Sequence, residues 1–331
     1  MIRLASGLLS FSLIVGAATA GVVWWLESWL DRPGPLSESI TTILEPGTGV
    51  QSIANQLAEI EAVDNARLFV LAVTINSNRR SLKAGEYTFP VKAKPRTILE
   101  MLASGRTLVH KLTIPEGLTK SEVIDLIQGA VALNGMVETA PLEGWILPET
   151  YHFSRGETRN NLIERMEIAM QDTLKELWAQ RPSGLPYSGP AEALVMASII
   201  EKETGRASER SRVAAVFVNR LRLDMPLQSD PTVLYSLTKG EDGLGRPLTR
   251  ADLRNASAYN TYLHTGLPPG AITNPGRSAI IAALNPDETD ELYFVGDGDG
   301  GHSFARTLIE HNRNVAHFRR MRSKARDCGA C

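Results

Sequence analysis

Cysteine is nearly missing from this chain. Two occur in 331 residues, Cys328 and Cys331, both among the last four positions. That excludes a disulfide framework, and a lone C-x-x-C without a second pair is no structural zinc site. Residues 327–331 read as a loose tail with no catalytic role. An excess of basic charge is missing as well. Lys and Arg number 35 against 37 Asp and Glu, for a net charge of −2. A nucleic-acid binder would carry a basic footprint, so no nucleic-acid partner is expected. There is no H-E-x-x-H, no G-x-S-x-G elbow and no phosphate loop. The one metal-like run, Asp297-Gly-Asp299-Gly-Gly-His302, resembles half of a calcium loop but lacks the closing ligands. It reads instead as a tight glycine turn that brings His302 and Phe304 near a cleft. No metal and no cofactor are expected.

What is present begins at the amino terminus. No residue from Leu4 to Leu26 is charged, and about 20 such residues suffice to cross a bilayer as a helix. Trp24, Trp25 and Trp29 lie at its end, placed as an interfacial aromatic belt. Arg3 precedes the run, and Glu27 and Asp31 follow it, so the amino terminus stays cytoplasmic and the body of the chain faces outward. The competing reading is a cleaved signal peptide with Ala18-Thr19-Ala20 as its site. The apolar run continues past that site, which favours a transmembrane anchor over residues 1–30. Either way the body is exported.

The length leaves room for about two domains. A Pro/Ser-rich linker is expected over 31–40. A small α/β unit follows over 41–109. Its elements are a strand at Thr41–Leu44, a helix at Val50–Glu59, a helix from about Asn65 to Asn76, an alternating strand Gly85–Phe89 and a helix Thr97–Ser104 closed by Gly105. The rest, 110–326, reads as one mixed α+β domain. It opens with a strand at Val109–Ile114 and a helix capped by Thr119 or Ser121 that runs to about Leu133. A long packing helix covers Asn161–Arg181. Further helices are expected at Glu209–Leu223, Ser278–Leu284 and Arg306–Arg326, with a strand at Leu292–Val295.

Several polar residues in that second domain are candidates for a site. Glu143 lies in an extended Gly/Pro-rich loop, where it is either a second site carboxylate or a surface acid. Gln228 and Asp230 precede Pro231 in a fixed turn able to present polar groups to a sugar. Asp230 has a plainer role as a helix N-cap before proline, and that role is preferred. Tyr259, Asn260 and Tyr262 interleave aromatic and amide groups, as carbohydrate sites do, although two packed tyrosines in a loop would look the same. Asn219 falls off the inward stripe of its helix and reads as a solvated amide.

The most informative stretch is Ala191–Thr204, AEALVMASIIEKET. Pro190 marks a helix start and Gly205 a stop. At about 100° per residue, Val195, Met196, Ile199 and Ile200 share one side, and Glu203 falls near its centre. Glu201 points elsewhere and Lys202 sits at the edge. Burial penalises a charged carboxylate, so an acid on an apolar stripe has a raised pKa and is suited to general-acid work. A frayed last turn that releases Glu203 to solvent is the plainer alternative.

Glu203-Thr204 ends its helix as the Glu-Ser step does in lytic transglycosylases and goose-type lysozymes. The run ASIIEKETGRASERSRVAAVFVNRLRLDMPLQSDPTVLY, Ala197–Tyr235, resembles the YceG-type endolytic murein transglycosylases, the MltG family. Further similar blocks are LEGWILPETYHF (Leu142–Phe153), AYNTYLHTGLPPGAITNPG (Ala258–Gly276) and LYFVGDGDGGHSF (Leu292–Phe304). The resemblance covers nearly all of the chain after the apolar segment. It implies an α+β fold in which a LysM-like unit precedes a catalytic domain. It also implies Glu203 as the catalytic acid, with Thr204, Asn219 and Tyr235 joining Glu143, Gln228, Asp230, Tyr259, Asn260, Tyr262 and His302 against substrate. The implied reaction cleaves MurNAc–GlcNAc bonds within nascent peptidoglycan strands, leaving a 1,6-anhydro end. The implied setting is the inner membrane, with the catalytic domain periplasmic and cell-wall synthases as partners. A non-catalytic peptidoglycan-binding scaffold, or a hydrolase using Glu143 as partner acid, remains the alternative.

Overall fold

An uninterrupted apolar run builds the first helix, α1, Ile2–Leu30. The computed structural model of the protein describes residues 2–75, 82–241 and 243–328. Among these, α1 alone is long and apolar enough to cross a bilayer. Trp24 and Trp25 on this helix are exposed, whereas Leu26, Trp29 and Leu30 are buried. They belong to the same core as Ile53, Phe69 and Leu99. The Trp29 indole donates to Asp64 Oδ1 at 2.8 Å. Trp29 is thus a core residue and not part of an interfacial belt, because the last turn of α1 already has a protein partner. The expected linker is also held down. Arg96 pairs with both Glu27 and Asp31, Leu36 is buried, and its carbonyl accepts the Lys92 N–H.

The chain divides into two compact units. One comprises the residues up to His110 together with His152–Gly156. In it, β1 (Ile40–Leu44) pairs antiparallel with β2 (Gly85–Phe89), and Ile40 lies opposite Phe89. Between them come α2 (Val50–Glu59) and α3 (Ala66–Ile75), and α4 (Pro95–Ser104) follows. Ile53, Ala54 and Leu57 line the inner face of α2, as their spacing requires. The end expected at Asn76 lies outside the described residues. Gly105 closes α4 at φ 72°, a left-handed position that favours glycine. Glu86 breaks the alternation of β2. It is buried because Arg155 and His110 both reach its carboxylate, at 2.9 and 2.6 Å. Arg155 foremost holds its pKa below the ordinary value against the cost of burial.

The second unit comprises Lys111–Tyr151 and the residues from Glu157 onward. In it β5 (Tyr293–Gly296) pairs with β6 (His302–Ala305), while β3 (Val109–Thr113) and β4 (Thr150–Ser154), which pair with each other, have residues in both units. Helices α5 (Lys120–Gly129), α6 (Arg159–Gln180), α7 (Pro190–Glu203), α8 (Arg210–Arg222), α9 (Asp230–Thr238), α10 (Arg277–Leu284) and α11 (Leu308–Cys328) complete it. The core is gathered around α7, with Met196, Ile199 and Ile200 packed among Met170, Phe217 and Ile280. Thr119 caps α5 in a reciprocal box with Glu122. That helix stops at Gly129, short of the expected Leu133. The Arg159 guanidinium collects the carbonyls of Ile127, Gln128, Ala130, Leu133 and Gly135, which satisfies the last turn of the helix and the chain just beyond it. At the other end of the unit α11 continues to Cys328, where a loose tail was expected. Cys331 lies outside the described residues.

Candidate active site

Pro190 opens α7, and Thr204 closes it in extended conformation at φ −141°. Glu203 is the last helical residue, one position before that break. Its Oε1 accepts a hydrogen bond from the Ser229 hydroxyl at 2.6 Å. Ser229 is buried and is fixed by its own N–H, which donates to Thr261 Oγ1 at 3.0 Å. Next in sequence, the Asp230 carboxylate accepts from the Tyr262 hydroxyl at 2.6 Å. Two basic groups complete the surroundings, Arg220 from α8 and His302 from β6. Arg220 is held by carbonyls, its Nε donating to Leu292 at 2.7 Å and its Nη1 to Leu227 at 2.8 Å. His302 is aimed by Glu209, whose carboxylate takes its Nδ1 at 2.8 Å and its backbone N–H at 3.2 Å.

Glu203 as a residue keeps some solvent exposure, but its carboxyl is enclosed by these neighbours. Burial raises its pKa most. Ser229 opposes that by bonding the charged form, Asp230 adds to the rise, and His302 and Arg220 oppose it. The balance lies at about 7. Lys202 is directed away, donating to the Gly117 carbonyl at 3.2 Å. An acid that titrates near neutrality can give a proton and take one back without large cost in either direction.

Residues 43–317 match the family model described as YceG-like. The chain belongs to the YceG-like family. It is 32% identical over 310 residues to the endolytic murein transglycosylase of Bacillus subtilis, covering 83% of this chain and 84% of that protein. The endolytic murein transglycosylase of Streptococcus pneumoniae strain D39 is 28% identical over 361 residues. That match takes in 93% of this chain but 64% of the pneumococcal protein. Among solved structures, a YceG-like protein of Listeria monocytogenes is 33% identical, with a TM-score of 0.52 over 83% of this chain and 98% of that one.

In this YceG-like chain the expected site residues divide into three groups. Asp230, Tyr262 and His302 stand around Glu203. Gln228 is exposed beside them at φ 53°, its Oε1 at 3.4 Å from Arg220 Nη1. Thr204 is buried at the end of α7, and its hydroxyl accepts the Arg206 N–H at 3.1 Å. Asp230 is not the cap of α9. Ser229 holds that position, and Asp230 is the first helical residue with its carboxylate turned to Tyr262.

A second cluster forms around Glu143. Its Oε1 accepts the Lys120 N–H at 2.8 Å, at the start of α5. Burial pushes its pKa up to about 6, opposed by that N–H and by the nearby Tyr235 hydroxyl. Oε2 is buried without a hydrogen bond of good geometry. The Tyr235 and Tyr259 rings lie 4.9 Å apart beside it. Gly240, at φ 80°, passes so close that a Cβ would meet Glu143 Oε2 at 3.1 Å. The neighbours of Glu143 and of Glu203 do not overlap. Ser229 starts α9 and Tyr235 lies in its last turn, so the two clusters sit toward opposite ends of that helix.

The last group is structural. Asn260 is fully buried, and its amide donates to the Leu253 and Asn255 carbonyls while its Oδ1 accepts the Tyr262 N–H. No donor is left for a sugar. Asn219 is not a solvated amide, because it donates to the Thr289 and Glu291 carbonyls at 2.6 and 3.1 Å. It lines a groove of about 940 Å³ that contains none of the Glu203 neighbours. Glu201 also departs from its expected place. Its side chain is only 6% exposed, accepts the Gly276 N–H at 3.0 Å and pairs with Arg210. It faces a second protein surface made by the loop before α10, which a phase drawn on α7 alone does not reveal.

Three residues around Glu203 are not among those the sequence singles out. Ser229 lies between Gln228 and Asp230 in a polar turn, where nothing local singles out its hydroxyl as a contact. Arg220 lies on the inward stripe of α8 with Val213, Val216 and Phe217, where an Arg is as anomalous as Glu203 on α7, and that anomaly is the signal that could have found it. Glu209 carries no local signal, since its partner His302 is 93 positions away.

Proposed function

We propose that this chain is an endolytic lytic transglycosylase that cuts peptidoglycan strands, with Glu203 as the acid. The observation that carries the reading is the enclosed Glu203 carboxyl with a pKa near 7, in a family whose relatives bear the name endolytic murein transglycosylase. Protonated Glu203 gives its proton to the glycosidic oxygen between MurNAc C1 and GlcNAc, and that bond breaks. The C6 hydroxyl oxygen of the same MurNAc closes on C1, and its proton passes to the Glu203 carboxylate. The products are a 1,6-anhydroMurNAc end and a free GlcNAc hydroxyl, and the acid is restored. No nucleophilic water is needed, so a second carboxylate of the kind ordinary glycosidases require is not needed either.

In the same proposal Asp230, Tyr262, His302 and Gln228 contact the sugar next to the scissile bond. Tyr259 and Tyr235 offer aromatic faces farther along the strand. The strand–helix–helix–strand unit of β1, α2, α3 and β2 is the LysM-like module and binds glycan. The helix α1 anchors the protein in the inner membrane with the catalytic unit periplasmic, near the synthases that feed it. A hydrolase with Glu143 as partner acid is the second reading, and the Glu143 carboxyl is engaged by the Lys120 N–H and lies beside Tyr235, apart from the groups around Glu203.

Mass analysis of glycan ends after incubation of strands with the full chain tests the reaction. Anhydro ends, lacking the mass of one water, are expected. Reducing ends would make the protein a hydrolase, and intact strands would leave a scaffold. Met1 is expected to remain on protein isolated from membranes, and Gly21 as the amino terminus would replace the anchor with a cleaved signal.

A further inference from the structure

Ser229 occupies the N-cap position of α9, where a serine hydroxyl ordinarily accepts a backbone N–H of the first turn. Here it makes no such bond. The hydroxyl turns away from its own helix and donates to Glu203 Oε1 at 2.6 Å. The backbone leaves little freedom in this choice. The Ser229 N–H is fixed on Thr261 Oγ1 at 3.0 Å, and the Ser229 carbonyl accepts the Thr232 hydroxyl at 2.7 Å. Those two threonine hydroxyls lie 2.9 Å apart, which locks the turn into the buried wall.

We propose that Ser229 is a positioning residue for the acid, occupying Oε1 so that the transferable proton resides on Oε2. The proposal rests on the assignment of Glu203 as the acid. A hydroxyl that donates to Oε1 of a neutral carboxyl makes that oxygen the carbonyl-like one and leaves the proton to the other. When Oε2 has given its proton to the glycosidic oxygen, the same hydrogen bond stabilises the carboxylate that must next take the C6 hydroxyl proton. One donor therefore serves both halves of the reaction. It also explains why α9 begins with an unused cap.

The other groups facing Glu203 set the background for a test. They are Asp230 at the start of α9, Arg220 from α8, His302 from β6 and Tyr262 from the loop after α9. None of them is displaced by shortening a buried serine. Ser229→Ala removes the donor, and Ser229→Gly does so with a residue that is itself acceptable at an N-cap.

The experiment uses the full chain in detergent and reads two quantities. The first is the titration midpoint of Glu203, followed by carboxyl-13C glutamate labelling and assigned by its loss in Glu203→Gln. It moves upward in both Ser229 variants, because the bond that favours the charged form is gone. The second is the kinetics on glycan strands, where kcat falls about 10- to 100-fold, the worth of one hydrogen bond to a charged group, with KM little changed. An unmoved midpoint in a folded variant overturns the proposal, as does a rise in KM at unchanged kcat. The midpoint is read without substrate. A wild-type chain that leaves strands intact would therefore refute the enzymatic reading while Ser229 is still judged on its effect on Glu203.

Discussion

A carboxyl with a pKa of about 7 in the fold and 4.5 in an unfolded chain binds more protons when folded between those two values. Stability contributed by Glu203 is therefore present at low pH and is lost as pH rises through that window. By pH 8 the enclosed carboxylate costs on the order of 3 kcal/mol, at about 1.4 kcal/mol per pKa step. Glu203→Gln is expected to unfold at higher urea than the wild type at pH 8 and at equal urea at pH 4. The same variant should lose about 10²–10⁴-fold in kcat, the usual worth of a general acid. For the wild type, kcat/KM should fall as pH rises through about 7. Equal urea midpoints for the two chains at pH 8 would show that the carboxyl is solvated. Glu203 was legible in the sequence because an acid on an apolar stripe breaks a pattern contained in fourteen consecutive residues. Arg220 breaks its stripe in the same way. Glu201 was not legible, because the groups that bury it, Arg210 and the Gly276 N–H, belong to other elements.

Elements fared according to whether their end signals are local. Thr119, Pro190 and Gly105 act within a turn of themselves, and the helices they bound lie where their spacing puts them. The end of α5 depends instead on Arg159, which lies beyond the next strand. The loop from Leu253 to Tyr262 shows the same dependence on side-chain bookkeeping that no periodicity reports. Aromatic and amide residues in alternation suggest a sugar site, and the structure uses the amide inside the loop. Asn260→Ala removes three hydrogen bonds from a fully buried position. Two carbonyls and one N–H are left to find new partners, and each such buried group costs about 1–3 kcal/mol. A fall in unfolding free energy of at least that size is expected, measured by urea denaturation. A sugar-binding Asn260 would behave differently, raising KM in a protein of unchanged stability.

At the scale of the whole molecule, periodicity and hydropathy point to a mixed α+β chain with an apolar start, and the comparisons place it in a family. What hydropathy does not report is where a membrane-type helix stops being one. The apolar run is continuous from Leu4 to Leu26, yet the side chains beyond Trp25 change environment. Leu26, Trp29 and Leu30 enter the core of the first unit, Trp29 also bonds Asp64, and Arg96 holds Glu27 and Asp31. The last turn of α1 is thus part of a folded unit, whatever surrounds the rest of the helix. Burying a large apolar side chain stabilises by roughly 1.5–3 kcal/mol, so the three together contribute roughly 4.5–9 kcal/mol. A domain has only about 5–15 kcal/mol in total. A chain that starts at Asp31 should therefore have an unfolded or molten first unit, with rapid proteolysis between β1 and α4. A chain that starts at Gly21, after the A-x-A triplet, keeps all three side chains and should fold there. Limited proteolysis of the two truncated proteins, followed by mass mapping of the fragments, decides the matter. Equal resistance of the region from Ile40 to Ser104 in both would show that the end of α1 rests against the unit without supporting it.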